Sequence, residues 1–469
     1  MAVTEVAMSL KAPTSLATRD NQPITENSYR SCFMRDRDRV LYSKAFRRLA
    51  GKTQVYIAGG DSHIRTRLTH TLEVSQIART ISQQLKLDCD LTEAIALGHD
   101  IGHTPYGHAG ERTLHSLMIE GLQTESGDPI RIPPKHCGFK HNLQSVATSI
   151  QSEKNYENSG LRLTNFTLYG MLHHSSTVYK DGNAELLGYY KQYDNLLKMH
   201  NGNDAWSFES FVVREADEIA QRHHDLEDAV RGNLITMEEI TKQIKTYFPD
   251  YLLTQEDRLC LSRLDTANDK EVFIAYLAKF VVNMYVSRII ATSTENLNQL
   301  IERKGISEDS FADFVLNTDP STVENVISYD ILQQGALPDN SLTDTITFEE
   351  AADKFKAFIS EHVLSSYDIQ KADSKGQYII RKIYRALTTS PRQLPNHCII
   401  EYMKQINAYE NWEQKRLQVG MGNIRRQFER CIESPMPVEN TLILRRVVCN
   451  YIAGMTDNYA KQIFDDLYK

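Results

Sequence analysis

The segment GHDIGHTPYGHAGE, residues 98–111, places three histidines, an aspartate and a glutamate within fourteen positions. Four glycines and one proline interrupt it, so the backbone turns tightly while nitrogen and oxygen donors converge. The preceding LTEAIALG reads as an apolar helix that delivers His99 and Asp100 side by side at its end. An imidazole next to a carboxylate is a donor pair that divalent cations accept. His103, His108 and Glu111 follow on the turn, placed to act on whatever such a cation binds. His108 and Glu111, three residues apart, can meet, and Glu111 is expected to orient His108.

Two neighbouring donors do not hold a cation alone, and the rest of the chain supplies partners. Upstream, RLTHTLEVSQIARTISQQL (67–85) puts His70 on the apolar stripe of Val74, Ile77 and Ile81. Downstream, FVVREADEIAQRHHDLEDAV (211–230) puts Asp217 on a stripe with Val213, Gln221 and Asp225. A carboxylate pointing where apolar side chains point needs a partner. A single histidine on an apolar face is more often a hydrogen-bonded core residue than a ligand. Four ligand-type residues in the order His70, His99-Asp100, Asp217, on three helices, change that reading. Arg67, one turn before His70, can reach an anion held beside the cation.

This order resembles the HD-domain metal-dependent phosphohydrolases, and separated motifs narrow the resemblance to their deoxyguanosine triphosphate triphosphohydrolase branch. They are RDRDRVLYSKAFRRLAGKTQVY (35–56), RTRLTHTLEV (65–74), the central segment, FKHNLQS (139–145), ADEIAQRHHDLEDA (216–229) and VVCNYIAGMTDNYA (447–460). The resemblance implies that Arg67 contacts substrate phosphate, Gln54 the deoxyribose, His141 the substrate and Asp225 the sugar 3′-hydroxyl. Three positions depart from the family pattern: Lys140 stands where an acid is usual, Gln221 replaces a tyrosine that packs on the sugar, and Asn450 replaces an aspartate. Tyr451, Gly454, Met455, Thr456 and Asp457 match, and in the family such residues lie near the nucleotide pocket or a neighbouring subunit.

The fold class expected is all-α: an HD-domain helical bundle with a small β-hairpin and a helical C-terminal region. Residues 1–28 lack a signal-like apolar run and read as a mobile arm, 29–230 as the phosphohydrolase core, and 231–469 as helices completing the pocket and subunit contacts. KTQVYIAGGDSHIRTR, turning at Gly59-Gly60, suggests the hairpin, and the Gly- and Pro-rich 121–138 a long loop. Breakers at 335–344 and 390–396 separate C-terminal helices, and Gly305 ends a long one begun near residue 269. Of the adjacent His173 and His174, at most one can face the pocket, because successive helical residues diverge by about 100 degrees.

With 469 residues the chain can bury a large core, and a net charge of −8 argues against whole-surface attraction to nucleic acid or anionic membrane. Seven scattered cysteines without a CxxC pair read as reduced thiols, so a cytoplasmic protein is expected. No run of eighteen uninterrupted apolar residues occurs, and no membrane span is expected. The basic residues of 30–67 read mostly as a solvated face.

The activity expected is hydrolysis of deoxynucleoside triphosphates, dGTP favoured, to deoxynucleoside and inorganic tripolyphosphate. His70, His99, Asp100 and Asp217 hold the metal, His108 with Glu111 assists proton transfer, and His103 steadies the phosphates. The donors suit Mn²⁺ first and Mg²⁺ next, with Fe²⁺, Ni²⁺ and Zn²⁺ also compatible. The resemblance implies a homo-oligomer, a dimer of dimers or a hexamer, and an activating deoxynucleotide as a further partner. Two alternatives stand: an HD-type monophosphatase or phosphodiesterase of another nucleotide, and a nucleotide-sensing regulator binding single-stranded DNA through the 30–67 segment.

Overall fold

The computed structural model describes residues 5–24, 29–54, 65–120, 122–123, 129–130, 132–152, 160–175, 191–332, 346–363, 365–408, 420–433 and 436–469. The chain is all-α. Its described strands are two-residue antiparallel pairs, β1 (Thr18–Arg19) with β2 (Gln22–Pro23) and β3 (Leu122–Gln123) with β4 (Pro129–Ile130). The expected hairpin at 55–64 lies outside the described residues. Its base is paired, with Thr53 bridged to Thr66 and the Gln54 amide donating to Arg65 O at 3.0 Å. The 121–138 stretch is not an unstructured loop throughout, since it carries β3, β4 and a 3-10 turn at Pro134–His136.

The site is built on helices α1 (Cys32–Leu41), α2 (Lys44–Arg48), α3 (Arg67–Gln84), α4 (Cys89–Gly98), α5 (Gly107–Ile119), α6 (His141–Ala147), α7 (Asn165–His173) and α8 (Phe208–Arg231). Polar caps set where the supporting helices begin. Thr66 Oγ1 accepts from the Thr69 amide, and Asp88 Oδ1 from the amides of Asp90 and Leu91, the latter two at 2.9 Å. α3 and α8 then bury their apolar stripes against α4 and each other. Each fully buried aliphatic or aromatic side chain contributes about 1.5–3 kcal/mol relative to exposure. The turn after α4 lies so close to α6 that a Cβ on Gly102 would sit 2.1 Å from the Ser145 amide nitrogen. Only glycine fits there.

Beyond α8 come α9 (Met237–Tyr247), α10 (Gln255–Thr266), α11 (Lys270–Lys304), α12 (Phe311–Asn317), α13 (Phe348–His362), α14 (Tyr367–Thr389), α15 (Asn396–Gln405), α16 (Met421–Cys431), α17 (Val438–Ala453) and α18 (Asp457–Tyr468). Gly305 caps α11 in the left-handed region, at φ 61. By length and composition α11 could cross a membrane. Here it packs on α8 and α10 and buries Phe273, Leu277, Phe280 and Met284. The break at 390–396 separates α14 from α15, and that at 335–344 lies outside the described residues.

One expectation about organisation needs correction. Residues 5–24 are no free arm: Val6, Leu10 and Leu16 enter the main core, Ala12 N donates to Glu209 Oε1 at 3.0 Å, and Arg19 pairs with buried Asp36 at 2.5 Å. One apolar cluster runs from Val6 through α8 to Ile369, joining the C-terminal helices to those that carry the site. A second cluster joins α5 to α14–α18.

Candidate metal centre

α3, α8 and the end of α4 aim their donors at one point. His70 Nε2 lies 2.9 Å from Asp217 Oδ1, and His99 Nε2 lies 3.6 Å from Asp100 Oδ1 and 3.8 Å from Asp217 Oδ1. Two donors bound at right angles to one cation at roughly 2.1 Å stand about 3 Å apart, and opposed donors about 4 Å apart, so these spacings suit a shared ion. The ligand atoms form two overlapping triads, His70–His99–Asp217 and His99–Asp100–His174, each within 4.8 Å, with His99 common to both.

His99 supplies the sharpest observation. Its Nδ1–H donates to Ala96 O at 2.6 Å, which leaves Nε2 as a lone pair. That Nε2 is buried and has no hydrogen-bond partner among the described residues. A buried lone pair beside two carboxylates fits a cation. Burial opposes ionisation of Asp217, but close contact with the His70 imidazole and the neighbouring His99 hold its carboxyl well below the usual range. Both carboxylates are therefore available as anionic ligands, Asp100 being lowered likewise by His99 and Arg67 against its burial.

The sequence reading left His173 and His174 unresolved, and the structure separates them. His174 turns inward, its Nδ1–H donating to Met171 O at 2.8 Å and its ring 4.9 Å from that of His99. Burial, with His99 and His141 nearby, lowers its pKa to about 3, so it stands neutral. His173 packs on the Tyr169 ring instead.

Next to these candidate cation ligands lies a second group, His103, His108, Glu111 and His141. Helical spacing pairs Glu111 with His108, but its hydrogen bonds go elsewhere. Glu111 Oε2 accepts from the backbone amide of His141 at 3.1 Å and from the His141 Nδ1–H, while Oε1 accepts from Lys140 at 2.8 Å. The cause is local: His141 opens α6, its amide lacks an intrahelical acceptor, and a carboxylate at a helix start satisfies it. Lys140, the departure from the family pattern, thus adds a cation to this carboxylate.

His103 stacks on His141 with ring centroids 4.4 Å apart. Its Nδ1 accepts the Thr104 amide at 3.2 Å, so Nε2 carries the proton and can donate to an anion. Crowding strips water from His108 and, opposed by Glu111 but reinforced by Arg67 and His141, lowers its basicity, although the residue remains solvent-accessible. It stands as a neutral imidazole at the mouth of the group.

Arg67 bridges the two groups. Its Nη1 donates to Asp100 Oδ2 at 2.5 Å, while Nε and Nη2 are buried with no hydrogen-bond partner among the described residues. Gln54 Oε1 and Asp225 Oδ1 are likewise buried and unsatisfied within the described residues. Burial and the charge of Asp228 push the Asp225 carboxyl up to about 7. On α8, half-buried Gln221 and then Asp225 lie about 6 and about 12 Å beyond Asp217, so the substrate candidates extend outward from the cation ligands along one helix.

Two supports were not foreseen. Lys52, expected on a solvated basic face, is buried, and its ammonium donates to the carbonyls of His103 and Ala453, the latter at 2.9 Å. Loss of hydration, aided by Arg48 and Arg67, lowers its pKa to about 7. Asp457 accepts from the Thr53 amide and hydroxyl at 2.9 and 2.6 Å and from the Tyr106 amide at 2.9 Å. Tyr106 sits in the left-handed region, φ 60, at the start of α5. That strained turn carries His108, and the C-terminal motif holds it.

The chain matches the HD domain family over residues 67–157 and the phosphohydrolase-associated domain over 345–417 and 436–466. It is similar to the deoxyguanosinetriphosphate triphosphohydrolase-like protein of Thiobacillus denitrificans, 31% identical over 440 residues, 94% of this chain and 91% of the relative. The protein of that description from Syntrophus aciditrophicus is 30% identical over 450 residues, 93% and 87% of the two chains. The one from Bordetella pertussis is 29% identical over 445, 94% and 90%.

Proposed function

Because the chain belongs to the deoxyguanosinetriphosphate triphosphohydrolase-like family of HD-domain phosphohydrolases, we propose that it hydrolyses deoxynucleoside triphosphates, dGTP foremost, to deoxynucleoside and inorganic tripolyphosphate. The observation that carries this reading is the unpartnered His99 Nε2 among His70, Asp100 and Asp217, with the spare donors of Arg67 alongside. His70, His99, Asp100 and Asp217 would hold the ion, with His174 as a further donor. Mn²⁺ suits this nitrogen and carboxylate set first and Mg²⁺ next. A divalent ion bound there supplies Lewis-acid polarisation of a phosphoryl oxygen and a more acidic water.

The chain's own groups account for the rest. Arg67 Nη2 and Nε and the His103 Nε2–H are donors for the oxyanions of the triphosphate. Attack of water on the α-phosphorus forms one P–O bond and breaks the bond to the 5′-oxygen. The attacking water loses a proton and the leaving 5′-oxygen gains one. His108, neutral and accessible, and His141, oriented by Glu111, are the imidazoles within reach of that exchange. Gln54 Oε1 and Asp225 Oδ1, without a hydrogen-bond partner among the described residues, suit the sugar hydroxyl. Gln221 in place of an aromatic ring leaves the sugar less confined. The seven cysteines are free thiols, in keeping with a cytoplasmic enzyme.

Several basic side chains of the segment on which the DNA-binding alternative rests are paired or buried. Arg37 pairs with Asp38 and Asp90, Arg65 with Glu227 and Asp228, Arg67 with Asp100, and Lys52 is buried. The test is chromatography of products from each of the four deoxynucleoside triphosphates, singly and mixed, with Mn²⁺ or Mg²⁺. Tripolyphosphate and nucleoside are expected, with heavy oxygen from water appearing in the tripolyphosphate. Orthophosphate or a nucleoside monophosphate as the first product would overturn the reading.

A further inference from the structure

Behind the cation ligands lies a chain of groups that neither the activity nor the family resemblance assigns. His224 on α8 has its Nε2 hydrogen-bonded to Glu73 Oε2 of α3, and its Nδ1 lies 3.4 Å from His70 Nδ1. The His70 and His224 rings meet edge to face, with centroids 5.3 Å apart. His223 Nε2 lies 3.6 Å from the same Glu73 oxygen.

We propose that Glu73 and His224 are positioning residues of the cation site, a hydrogen-bond relay that holds His70 in the tautomer whose Nε2 lone pair faces the ion. This rests on the cation site proposed above. Proton counting fixes the direction. With Glu73 ionised its carboxylate only accepts, so the proton between Glu73 and His224 belongs to His224 Nε2. His224 Nδ1 is then a lone pair and accepts from His70 Nδ1–H. His70 Nε2 is left without a proton, 2.9 Å from Asp217 Oδ1. Two acceptors at that separation repel one another unless a cation joins them.

The relay also ties together the helices that carry the outer ligands. Glu73 lies one turn from His70 on α3, and His224 lies two turns from Asp217 on α8. Fixing His224 against Glu73 therefore fixes both the rotation of the His70 ring and the spacing of its helix from α8. Carboxylate–imidazole contacts behind a ligating histidine typically change metal affinity by about 10–100-fold.

The experiment is calorimetric titration of Mn²⁺ into metal-stripped full-length protein, with thermal melts of the same metal-free samples. Glu73→Ala is expected to weaken Mn²⁺ binding about 10–100-fold while the metal-free melting temperature stays near the wild-type value. Turnover should return at saturating Mn²⁺. Glu73→Gln, whose amide oxygen still accepts from His224 Nε2–H, should recover most of the affinity. Wild-type affinity in Glu73→Ala, or a glutamine variant no better than the alanine one, overturns the relay. A second equivalent of Mn²⁺ lost in Glu73→Ala also overturns it, making Glu73, His223 and His224 an ion site of their own. If His70→Ala binds Mn²⁺ as wild type does, the underlying cation site fails instead.

Discussion

Glu111 holds His141 at two points, accepting its backbone N–H at 3.1 Å and its imidazole Nδ1–H with the same oxygen. The carboxylate therefore sets the start of α6 and the orientation of the ring together. His141 Nε2 is turned toward Asp100 Oδ1, 3.9 Å away. Glu111→Ala and His141→Ala should each lower kcat by roughly 10²–10³-fold, and the double variant should lose little more, because the two act as a unit. Multiplying losses in steady-state kinetics would contradict that pairing. His108→Ala should retain Mn²⁺ and still lose turnover.

Removal of the proposed ligands should act on binding and turnover together. His99→Ala and Asp100→Ala are expected to purify without stoichiometric metal and to lose turnover by at least about 10²–10³-fold. His174→Ala should weaken the metal without abolishing its binding. Elemental analysis of protein purified without added metal checks all three and identifies the ion. Full retention by the His99 variant would remove the centre from the mechanism.

Loss of the Asp457 carboxylate leaves the Thr53 and Tyr106 amides without their acceptor. Asp457→Ala should cost about 1–3 kcal/mol of stability and lower kcat more than it shifts metal affinity, since the turn bearing His108 loosens while α3, α4 and α8 stay in place. Asp457→Asn, which keeps one oxygen acceptor, should lose less. Denaturant melts and Mn²⁺ titration separate the two effects.

A pH dependence follows from Glu209, about two turns before Asp217 on α8. Its Oε1 accepts from the amides of Ala12 and Asp88, at 3.0 and 2.8 Å. Burial and the charge of Asp88 push its carboxyl up from 4.5 to about 7. The folded chain thus holds this proton more tightly than the unfolded one, and the contribution to stability, full below pH 4.5, is lost as pH rises toward 7. Glu209→Gln keeps the oxygen acceptor and does not ionise. Its stability relative to wild type should improve by about 3 kcal/mol between pH 4.5 and 7.5, measured by denaturant melts. A pH-independent difference would show that Glu209 ionises normally.

Legibility in the sequence followed the range of the signal. His70, His99, Asp100 and Asp217 could be assembled because helical periodicity gives each one's direction and the motif order gives their partners. Glu111 could not be matched to its acceptor by spacing alone, because His141 arrives after a long irregular segment and the bond is made to a helix start. His174 could not be told from His173 without the rotational phase of α7. Lys52 looked like any member of a basic run until packing showed carbonyls from two distant elements around it. Val6, Leu10 and Leu16 are too widely spaced to form a periodic pattern, so their place in the core depends on a surface that other segments build.

The Asp457 clamp ties the turn before His108 and the strand edge before Gln54 to a residue 351 and 404 positions away. Contacts of such separation close late in folding. A nascent chain that has not yet extended past residue 457 has every proposed ligand of the ion but lacks the brace on the turn beside them. In a chain still on the ribosome the turn bearing His108 should therefore stay loose, and full hydrolytic activity should appear only when α18 docks.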